Sequence, residues 1–502
     1  MVTTTSRQNS SGFFIGVGCP GCGAVLALDE GFFVTSCSYC GSVLRVLMPE
    51  IPPAFMVKSG LDTTRVRFHL DRHLKNHNQP LTGSDLQFKR IYYPYWKVDA
   101  SLLKARNRIE ERVYVSEAGS ESQTEHVDRK QKTDIRITPY TVTVAAGAPL
   151  AGLPDSLGVR SESIRMVPFS QDNLEGDFDA LPVLRSWDQI RSRIVQAVAR
   201  MNEINPAAFG RNITRLFTPE FSLVYFPFYA VESYEERYRR FLLDGLTGRV
   251  LSTGDPVEQP QPVLNIADGQ QAVTEPQAAR PPAVVDRISF AEDDVPLEPP
   301  EFSPGELNVD FHRCTNCGVD LPAVQSCVYY CRNCKEMQIL ERSEISSVTV
   351  EMAGDSAGPD DRLVPFWWLT LSGPDAGRLG KLFGSLKPVD RLVIPAFETA
   401  HFDGMYKLSR RITAAFDKLP RHRTQALDDR CIPVQVRPAQ AVANAEIIIC
   451  REMLERGLAL PDETTSLRTD QAGLVYVPFH LENYFYMDSV LNAITLERVL
   501  ID

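Results

Sequence analysis

Two sets of paired cysteines constrain the fold of this 502-residue chain more than any other sequence feature. The first set is Cys19-Pro-Gly-Cys22 with Cys37-Ser-Tyr-Cys40, and the second is Cys314-Thr-Asn-Cys317 with Cys331-Arg-Asn-Cys334. A two-residue gap lets both thiolates of a tight turn point at one ion. The fourteen and thirteen residues between the pairs suit two short strands and a turn. Each set therefore predicts a zinc ribbon with four sulfur ligands.

Two Zn²⁺ ions are the cofactors that these cysteines predict. A disulfide framework is the first alternative, but disulfides are rare in the cytoplasm. Iron in a rubredoxin-like electron-transfer site is the second, because four thiolates also suit iron. Cys327 is either a competing ligand or a buried thiol, and the pairing pattern favours the buried thiol. Cys431 and Cys450 stand alone, and Cys450 follows an apolar run that predicts a core position.

Short motifs recur in the same order in both halves of the chain and predict an internal duplication. Each half opens with a ribbon, followed by a proline-aromatic-tryptophan strand, a shorter proline strand and a Val-Tyr-x-Pro-Phe strand. The matching segments are 91–96 and 363–368, 167–169 and 394–397, and 224–228 and 475–479. A turn follows, Asp244-Gly-Leu-Thr-Gly248 in the first half and Asn492-Ala-Ile-Thr495 in the second. We expect 14–254 and 308–502 to adopt related folds.

The aromatic side chains of these motifs have two interpretations. Tyr93, Trp96, Trp367 and Trp368 are candidate binding residues, because rings on a strand can line a groove for a peptide or ligand. The alternative is a conventional core, which is the usual role of aromatic stripes in strands. Because proline donates no ladder hydrogen bond, the motif prolines are expected at edge strands, strand starts or bulges.

Charge and composition divide the chain. Between Asp255 and Glu306 there are ten prolines and eleven acidic residues against two basic ones, so this segment carries −9 of the net −11. Such a sequence predicts an extended linker, because it buries too little apolar surface to offset its ordering entropy. The predicted organisation is a disordered tail (1–13), ribbon 1 (14–48), body 1 (49–254), the acidic linker (255–307), ribbon 2 (308–342) and body 2 (343–502). Alternating strand and helix patterns give each body an α+β class.

Several function classes lack their sequence signatures. There is no phosphate-binding P-loop, no H-E-x-x-H, no G-x-S-x-G and no kinase motif, so we expect a protein that is not an enzyme. No apolar run reaches eighteen residues and the first residues are polar, which predicts a cytoplasmic protein without an integral membrane segment. A closed four-cysteine site is structural in any case.

The ribbon, the Tyr-x-Pro-Tyr-Trp and Tyr-x-Pro-Phe strands and the Asp-Gly-Leu-Thr-Gly turn together resemble a group of bacterial zinc-ribbon proteins of uncertain function. Members are often named by analogy with the zinc module of primosomal helicases, and some are encoded beside phage-shock or membrane-stress proteins. The resemblance implies a non-enzymatic accessory protein, partner proteins that include a membrane-associated complex, and the eight paired cysteines as ligands. This chain departs from the group by being doubled and by lacking the membrane helices that some members carry.

Two functions remain open from the sequence. The first is a zinc-stabilised scaffold or adaptor that assembles other proteins, with two binding surfaces joined by the linker. The second is a nucleic-acid-binding accessory protein that uses its ribbons, supported by fifteen basic against ten acidic residues between Arg65 and Arg136. The ribbons themselves lack clustered lysine and arginine and the net charge is negative, which favours the scaffold and makes nucleic acid the less expected partner.

Overall fold

Strands make up most of this mixed α/β protein. The computed structural model describes residues 14–29, 33–49, 51–79, 86–117, 123–150, 152–158, 166–169, 178–200, 212–234, 238–253, 305, 307–355, 357–372, 376–383, 389–399, 401–424, 426–460 and 468–501. The predicted tail (1–13) and nearly all of the predicted acidic linker lie outside the described residues. Gly305 and Leu307, at the end of that linker, are described: Gly305 bridges to Pro53, and Leu307 is buried in the core of the first half.

The first half contains twelve strands and two helices within its described residues. They are β1 (Phe14–Gly18), β2 (Val25–Asp29), β3 (Val34–Ser36), β4 (Val43–Leu47), β5 (Ala54–Val57), α1 (Thr63–Asn76), β6 (Leu86–Glu117), β7 (Gln123–Ala145), β8 (Met166–Pro168), β9 (Phe178–Ala180), α2 (Trp187–Arg200), β10 (Asn212–Tyr234), β11 (Tyr238–Asp244) and β12 (Val250–Thr253). Ten of these strands form one sheet in the order β12-β11-β10-β5-β8-β1-β2, and β6 joins it between β10 on one side and β7 and β9 on the other.

The second half repeats this mixture. Its described elements are β13 (Asn308–Phe311), β14 (Val328–Tyr330), β15 (Met337–Glu341), β16 (Glu344–Ser347), β17 (Val350–Ala353), β18 (Arg362–Ser372), α3 (Ala376–Phe383), β19 (Arg391–Pro395), α4 (Phe402–Ala415), a 3₁₀ turn (Phe416–Lys418), β20 (Arg421–Arg423), α5 (Pro438–Glu455), β21 (Arg468–Glu482), β22 (Phe485–Asp488), β23 (Thr495–Glu497) and a 3₁₀ turn (Arg498–Leu500). A seven-stranded sheet runs β19-β18-β21-β17-β20, and β22 links β21 to β23.

The central strand pairs of the two sheets share a register. In each sheet the tryptophan strand lies antiparallel to the Val-Tyr-x-Pro-Phe strand, with the pairs Trp96–Leu223 and Pro94–Tyr225 in the first and Trp367–Leu474 and Pro365–Tyr476 in the second. On the other side of β10 lies the parallel strand β5, and on the other side of β21 lies the parallel strand β17. The motif strands that the sequence picked out are therefore adjacent within each sheet.

The motif prolines lie inside central strands, at points where the ladder on one side ends. On one flank of β6, β9 pairs as far as Tyr92 and β7 pairs from Tyr95 onward. The Pro94 carbonyl faces this gap and accepts from Ala146 N at 2.9 Å. Since the nitrogen of a strand residue faces the same side as its carbonyl, the absent N–H of Pro94 removes no ladder bond.

The other three motif prolines follow the same rule. The Pro365 carbonyl accepts from Ala396 N at 3.0 Å, just before β19 begins to pair at Phe366. The carbonyls of Pro227 and Pro478 accept from the residues that follow the last pairs with β11 and β22, Gly245 and Ser489, at 2.9 Å each. The motif prolines thus do not lie at the expected edge strands, strand starts or bulges. Each lies within a central strand, at a point where pairing with the neighbouring strand on one side ends.

The turns after the last motif strands correct one predicted alignment. Asp244 ends β11 opposite Phe228, and Asp488 ends β22 opposite Phe479. The Asp244 carboxylate accepts hydrogen bonds from Leu246 N and Thr247 N at 2.9 Å each. The Asp488 carboxylate likewise accepts hydrogen bonds from Leu491 N and Ile494 N of its own turn. The turn of the second half with the same hydrogen bonding as the Asp244 turn therefore starts at Asp488, four residues before the Asn492 stretch that the sequence suggested.

The two halves contact each other at α5 and at the ribbons. Ile447, Cys450 and Leu454 of α5 are buried in one apolar cluster with Leu103 of β6 and Phe217 of β10. At the ribbons, β13 pairs antiparallel with β4, so a strand of the second half completes a sheet of the first. Apolar burial and strand pairing across the halves fix their relative position.

Candidate metal centres

Four knuckle turns of one design present the paired cysteines. In each turn the first cysteine donates its N–H to the carbonyl five residues on and accepts from the N–H four residues on, at 2.8–2.9 Å throughout. The residue in that fourth position has a left-handed φ of 75°, 72° and 74° at Gly23, Gly41 and Gly318, and 62° at Lys335. Glycine suits this φ at no steric cost. The Lys335 turn keeps the shape without the glycine that marks the others in sequence.

The sulfurs of each set converge, as predicted. All four Sγ atoms of Cys19, Cys22, Cys37 and Cys40 lie within 4.8 Å of one another, and so do those of the second set, Cys314, Cys317, Cys331 and Cys334. The shortest separations are 3.7 Å in the first site and 3.5 and 3.6 Å in the second. A tetrahedron with metal–sulfur bonds of about 2.3 Å has edges of about 3.8 Å. Both sites therefore have the dimensions of a tetrathiolate metal centre, and no cysteine is in a disulfide.

Local hydrogen bonds and burial give the cysteines within each site different thiol pKa values. The Ser42 side chain and backbone lower the pKa of Cys40 to about 6, and its Oγ lies 3.2 Å from the sulfur. The Asn333 side chain and the Val319 amide lower the pKa of Cys317 to about 6, whereas burial raises the pKa of Cys314 to about 12. The thiolate is thus favoured at Cys40 and Cys317, whereas Cys314 keeps its proton until a cation binds. Metal binding must release protons.

The first site joins two sheets. Its Cys19–Cys22 knuckle connects β1 to β2, which belong to the ten-stranded sheet. Its Cys37–Cys40 knuckle connects β3 to β4, which form a separate three-stranded sheet with β13. The two strands between the knuckles were expected to form one hairpin, but β2 and β3 each pair across their own knuckle. An ion held by all four sulfurs would bridge the two sheets.

The second site closes within its own half. Its first knuckle follows β13, and its second connects β14 to β15 in a sheet of β14, β15 and β16. Cys314 and Cys331 are buried, and their neighbours Leu321, Val328 and Ile339 lie in the main core of the second half. This site therefore anchors ribbon 2 to body 2.

A glutamine clamp ties ribbon 1 to ribbon 2. The Gln325 side chain accepts from Phe33 N at 3.1 Å and donates to the Val34 carbonyl, in the manner of an added strand. Phe33 is buried, and the guanidinium of Arg437, at the start of α5, lies 4.5 Å from its ring centre. No spacing or motif in the sequence marks Gln325, because its partners are almost three hundred residues away.

Comparison with protein-family models, with curated proteins and with solved structures finds no match to this chain. The resemblance to bacterial zinc-ribbon proteins accordingly rests on the cysteine spacing and the short motifs. The part of that resemblance which the geometry supports is a pair of ribbon-like four-cysteine sites.

The remaining cysteines lie apart from both sites. Cys327 is fully buried, with its N–H bonded to Val434 O and its carbonyl to Leu340 N, so it belongs to the core of the second half. Cys450 is buried in the cluster between the halves. Burial raises the pKa of Cys327 to about 12 and of Cys450 to about 11. The buried-thiol interpretation of Cys327 agrees with this position.

The aromatic residues considered as a binding surface form the core instead. Tyr93, Trp96 and Trp367 are exposed by 1%, 0% and 2%, and each indole N–H donates to a main-chain carbonyl at 2.7 Å, that of Arg185 or Val436. Trp368 is half-buried, with its indole 3.2 Å from a Glu351 oxygen. Tyr93, Trp96 and Trp367 therefore have no free face for a base or a peptide, and the packing interpretation holds for these three. The ring of Trp368 faces the Arg391 guanidinium, 5.4 Å from the ring centre.

None of the helices in the described ranges combines the length and the apolar character that crossing a bilayer requires.

Proposed function

We propose that both sites bind zinc and that both are structural. Four thiolates leave a tetrahedral ion no open position for water or substrate, which is the arrangement of structural rather than catalytic zinc. Zinc is favoured over iron because it needs only deprotonated sulfurs and tetrahedral geometry, without redox chemistry. Metal analysis of the purified chain is expected to give two zinc per chain and no visible colour. A coloured protein with iron at these sites would favour the rubredoxin-like alternative.

We also infer that the chain arose by internal duplication. The support is the shared register of the two central strand pairs, the matching positions of four prolines and the two indole-to-carbonyl bonds. A capping glutamine also recurs: Gln189 caps the start of α2 and Gln440 the start of α5. Superposition of 14–254 on 308–502 tests this inference, and non-equivalent Trp96 and Trp367 strands would contradict it.

The function that these features favour is a non-enzymatic, cytoplasmic zinc-binding scaffold or adaptor of bacterial type that assembles other proteins. The observation that carries this function is that each site offers four cysteine ligands, which gives a bound ion a structural role and no open coordination position. The halves contact each other through α5 and β13, so the linker is not what alone joins them. This replaces the expectation of two surfaces that move on a tether.

Purification of the tagged chain from its native cells at moderate salt tests the adaptor function. We expect one or more proteins, including components of a membrane-associated complex, to co-purify in a fixed stoichiometry measured by native mass spectrometry. A Cys37→Ser, Cys40→Ser variant should lose partners that contact the ribbon 1 region. A chain that elutes alone under all mild conditions would contradict an adaptor function while leaving the zinc assignment intact.

A further inference from the structure

The longest hairpin in the described part of the chain continues past its last described pair with β10. β6 and β7 pair in one unbroken register from Tyr95–Ala145 to Glu117–Gln123. The third strand, β10, is described from Asn212, which lies opposite Arg106. Beyond that point β6 pairs only with β7 among the described strands, over eleven residue pairs, or about 36 Å. We call 103–117 and 123–137 the arm.

The two faces of the arm differ at its base. Directly opposed residues of an antiparallel pair share a face, so odd and even positions alternate between faces along the whole arm. Leu103, Ala105, Ile135 and Ile137, all odd, pack in the cluster under α5. Lys104, Arg106, Asp134 and Arg136, all even, are exposed. One face therefore joins the halves, and the other faces solvent.

The even positions of the arm are strongly cationic. The unbroken register assigns them seven basic residues against three acidic ones, which are Lys104, Arg106, Arg108, Arg112, Lys130, Lys132 and Arg136 against Glu110, Asp128 and Asp134. The odd positions hold one basic residue, Arg129, against Glu111, Glu117 and Glu125. The cationic residues of the arm thus share the face opposite the one that packs under α5.

Two of the opposed pairs on the even face are cation against cation: Lys104–Arg136 and Arg108–Lys132. Like charges directly opposite each other destabilise a strand pair. The other three opposed charged pairs of this face, Arg106–Asp134, Glu110–Lys130 and Arg112–Asp128, are of opposite sign, so the register leaves four cations in excess on it. An anion lying along this face would offset that excess.

We propose that the cationic face of the arm binds the phosphodiester backbone of nucleic acid. A two-stranded β-ribbon has the width of the major groove of a duplex, and phosphate neutralisation by lysine and arginine supplies most of such affinity. An anionic membrane fits less well, because the apolar positions of the arm share the face opposite its cations. The net charge of the chain does not oppose the proposal, since −9 of −11 lies between Asp255 and Glu306.

This surface is distinct from the ribbons and from the scaffold proposal. The helix α2 packs on the even face of β6 nearer the body, through Ile190 and Ile194 against Leu102. Its Arg191 is exposed and adds a cation on the same side of the sheet. Nucleic-acid binding by the arm does not depend on which ion the cysteines hold. The arm proposal and the scaffold proposal can therefore be contradicted independently of each other.

Fluorescence anisotropy with a labelled 20-base-pair DNA duplex, and with single-stranded DNA and RNA of the same length, tests the proposal on the full chain. Four phosphate contacts predict that affinity for the duplex falls about a hundredfold between 50 and 200 mM salt. A variant with Lys104→Glu, Arg108→Glu, Lys132→Glu and Arg136→Glu should bind the duplex at least about a hundredfold more weakly than the wild type at 50 mM salt. Tighter binding of one probe would identify the form of nucleic acid.

A matched control reverses four exposed cations of the second half: Arg362→Glu, Lys381→Glu, Lys418→Glu and Arg423→Glu. It changes the net charge equally and should bind within threefold of the wild type. A second variant, with 108–132 replaced by Asn-Gly, keeps the base of the arm and should also lose binding. Equal loss in the control, unchanged binding in both arm variants, or arm-dependent binding to anionic vesicles without binding to any nucleic acid would overturn the proposal.

Discussion

Replacing one ligand in each metal site should have different structural consequences in the two halves. Cys37 and Cys331 are matched positions, each the first cysteine of the second knuckle and each 2% exposed. Structural zinc contributes about 10–16 kcal/mol of apparent binding free energy, or about 2.5–4 kcal/mol per sulfur if shared equally. At 1.4 kcal/mol per factor of ten, Cys37→Ser should weaken the first site by two to three orders of magnitude.

The structure predicts where the first site should loosen. The β1–β2 hairpin meets the rest of its sheet at one described pair, Ile15 with Met166. The β3–β4 hairpin is held by β13 and by the burial of Phe33 and Val34. Without the metal, hydrogen exchange should therefore accelerate over 14–29 and stay slow in β4. In Cys331→Ser the acceleration should be confined to 312–341.

Metal content by plasma mass spectrometry and exchange by mass spectrometry check both variants. Each should retain one metal per chain after dialysis against a weak chelator. Cys327→Ser is the control, because Cys327 is equally buried but is not a ligand, and it should retain two. Two metals in Cys37→Ser, or uniform acceleration across both halves, would refute the assignment of this site as a link between two sheets.

Three further outcomes are expected. Cys450, which is buried, and Cys431, which is half-buried, should react very slowly with a thiol reagent at pH 8, because desolvation raises the pKa of Cys450 to about 11 and of Cys431 to about 12; the rate should rise about tenfold per pH unit, and rapid labelling of either would contradict its raised pKa. Trp96→Phe and Trp367→Phe should each cost about 2–3 kcal/mol in the opening free energy of their own sheet, measured by hydrogen exchange, because each leaves a buried carbonyl without its donor; a large difference between them would weaken the duplication inference. The proline-rich acidic sequence predicts that limited proteolysis cuts within 255–304, and the contacts of α5 and β13 predict that the two fragments elute together; separate elution would contradict the interface between the halves.

Local chemistry explains what could be predicted of the metal sites. A cysteine pair and its knuckle turn span six residues, so spacing and glycine position are enough to identify the ligands and the shape of each turn. The same holds for the central strands, since the proline-aromatic motifs lie on adjacent strands in both sheets. The Lys335 turn shows the limit of such patterns, because its backbone repeats the glycine turns without a glycine.

The sequence by itself determined the eight cysteines of the two candidate metal sites, the knuckle turns that present them and the strands that carry the repeated motifs, because each depends on residues that are close in the chain. Only the tertiary structure decided that the indoles of Trp96 and Trp367 are buried, that Cys327 lies apart from both four-cysteine clusters, that β13 completes a sheet with β4, and that the arm has a cationic face. These features depend on pairings between residues from tens to hundreds of positions apart. Such pairings are set by the burial and hydrogen bonding available once both partners are folded, and no local pattern encodes them.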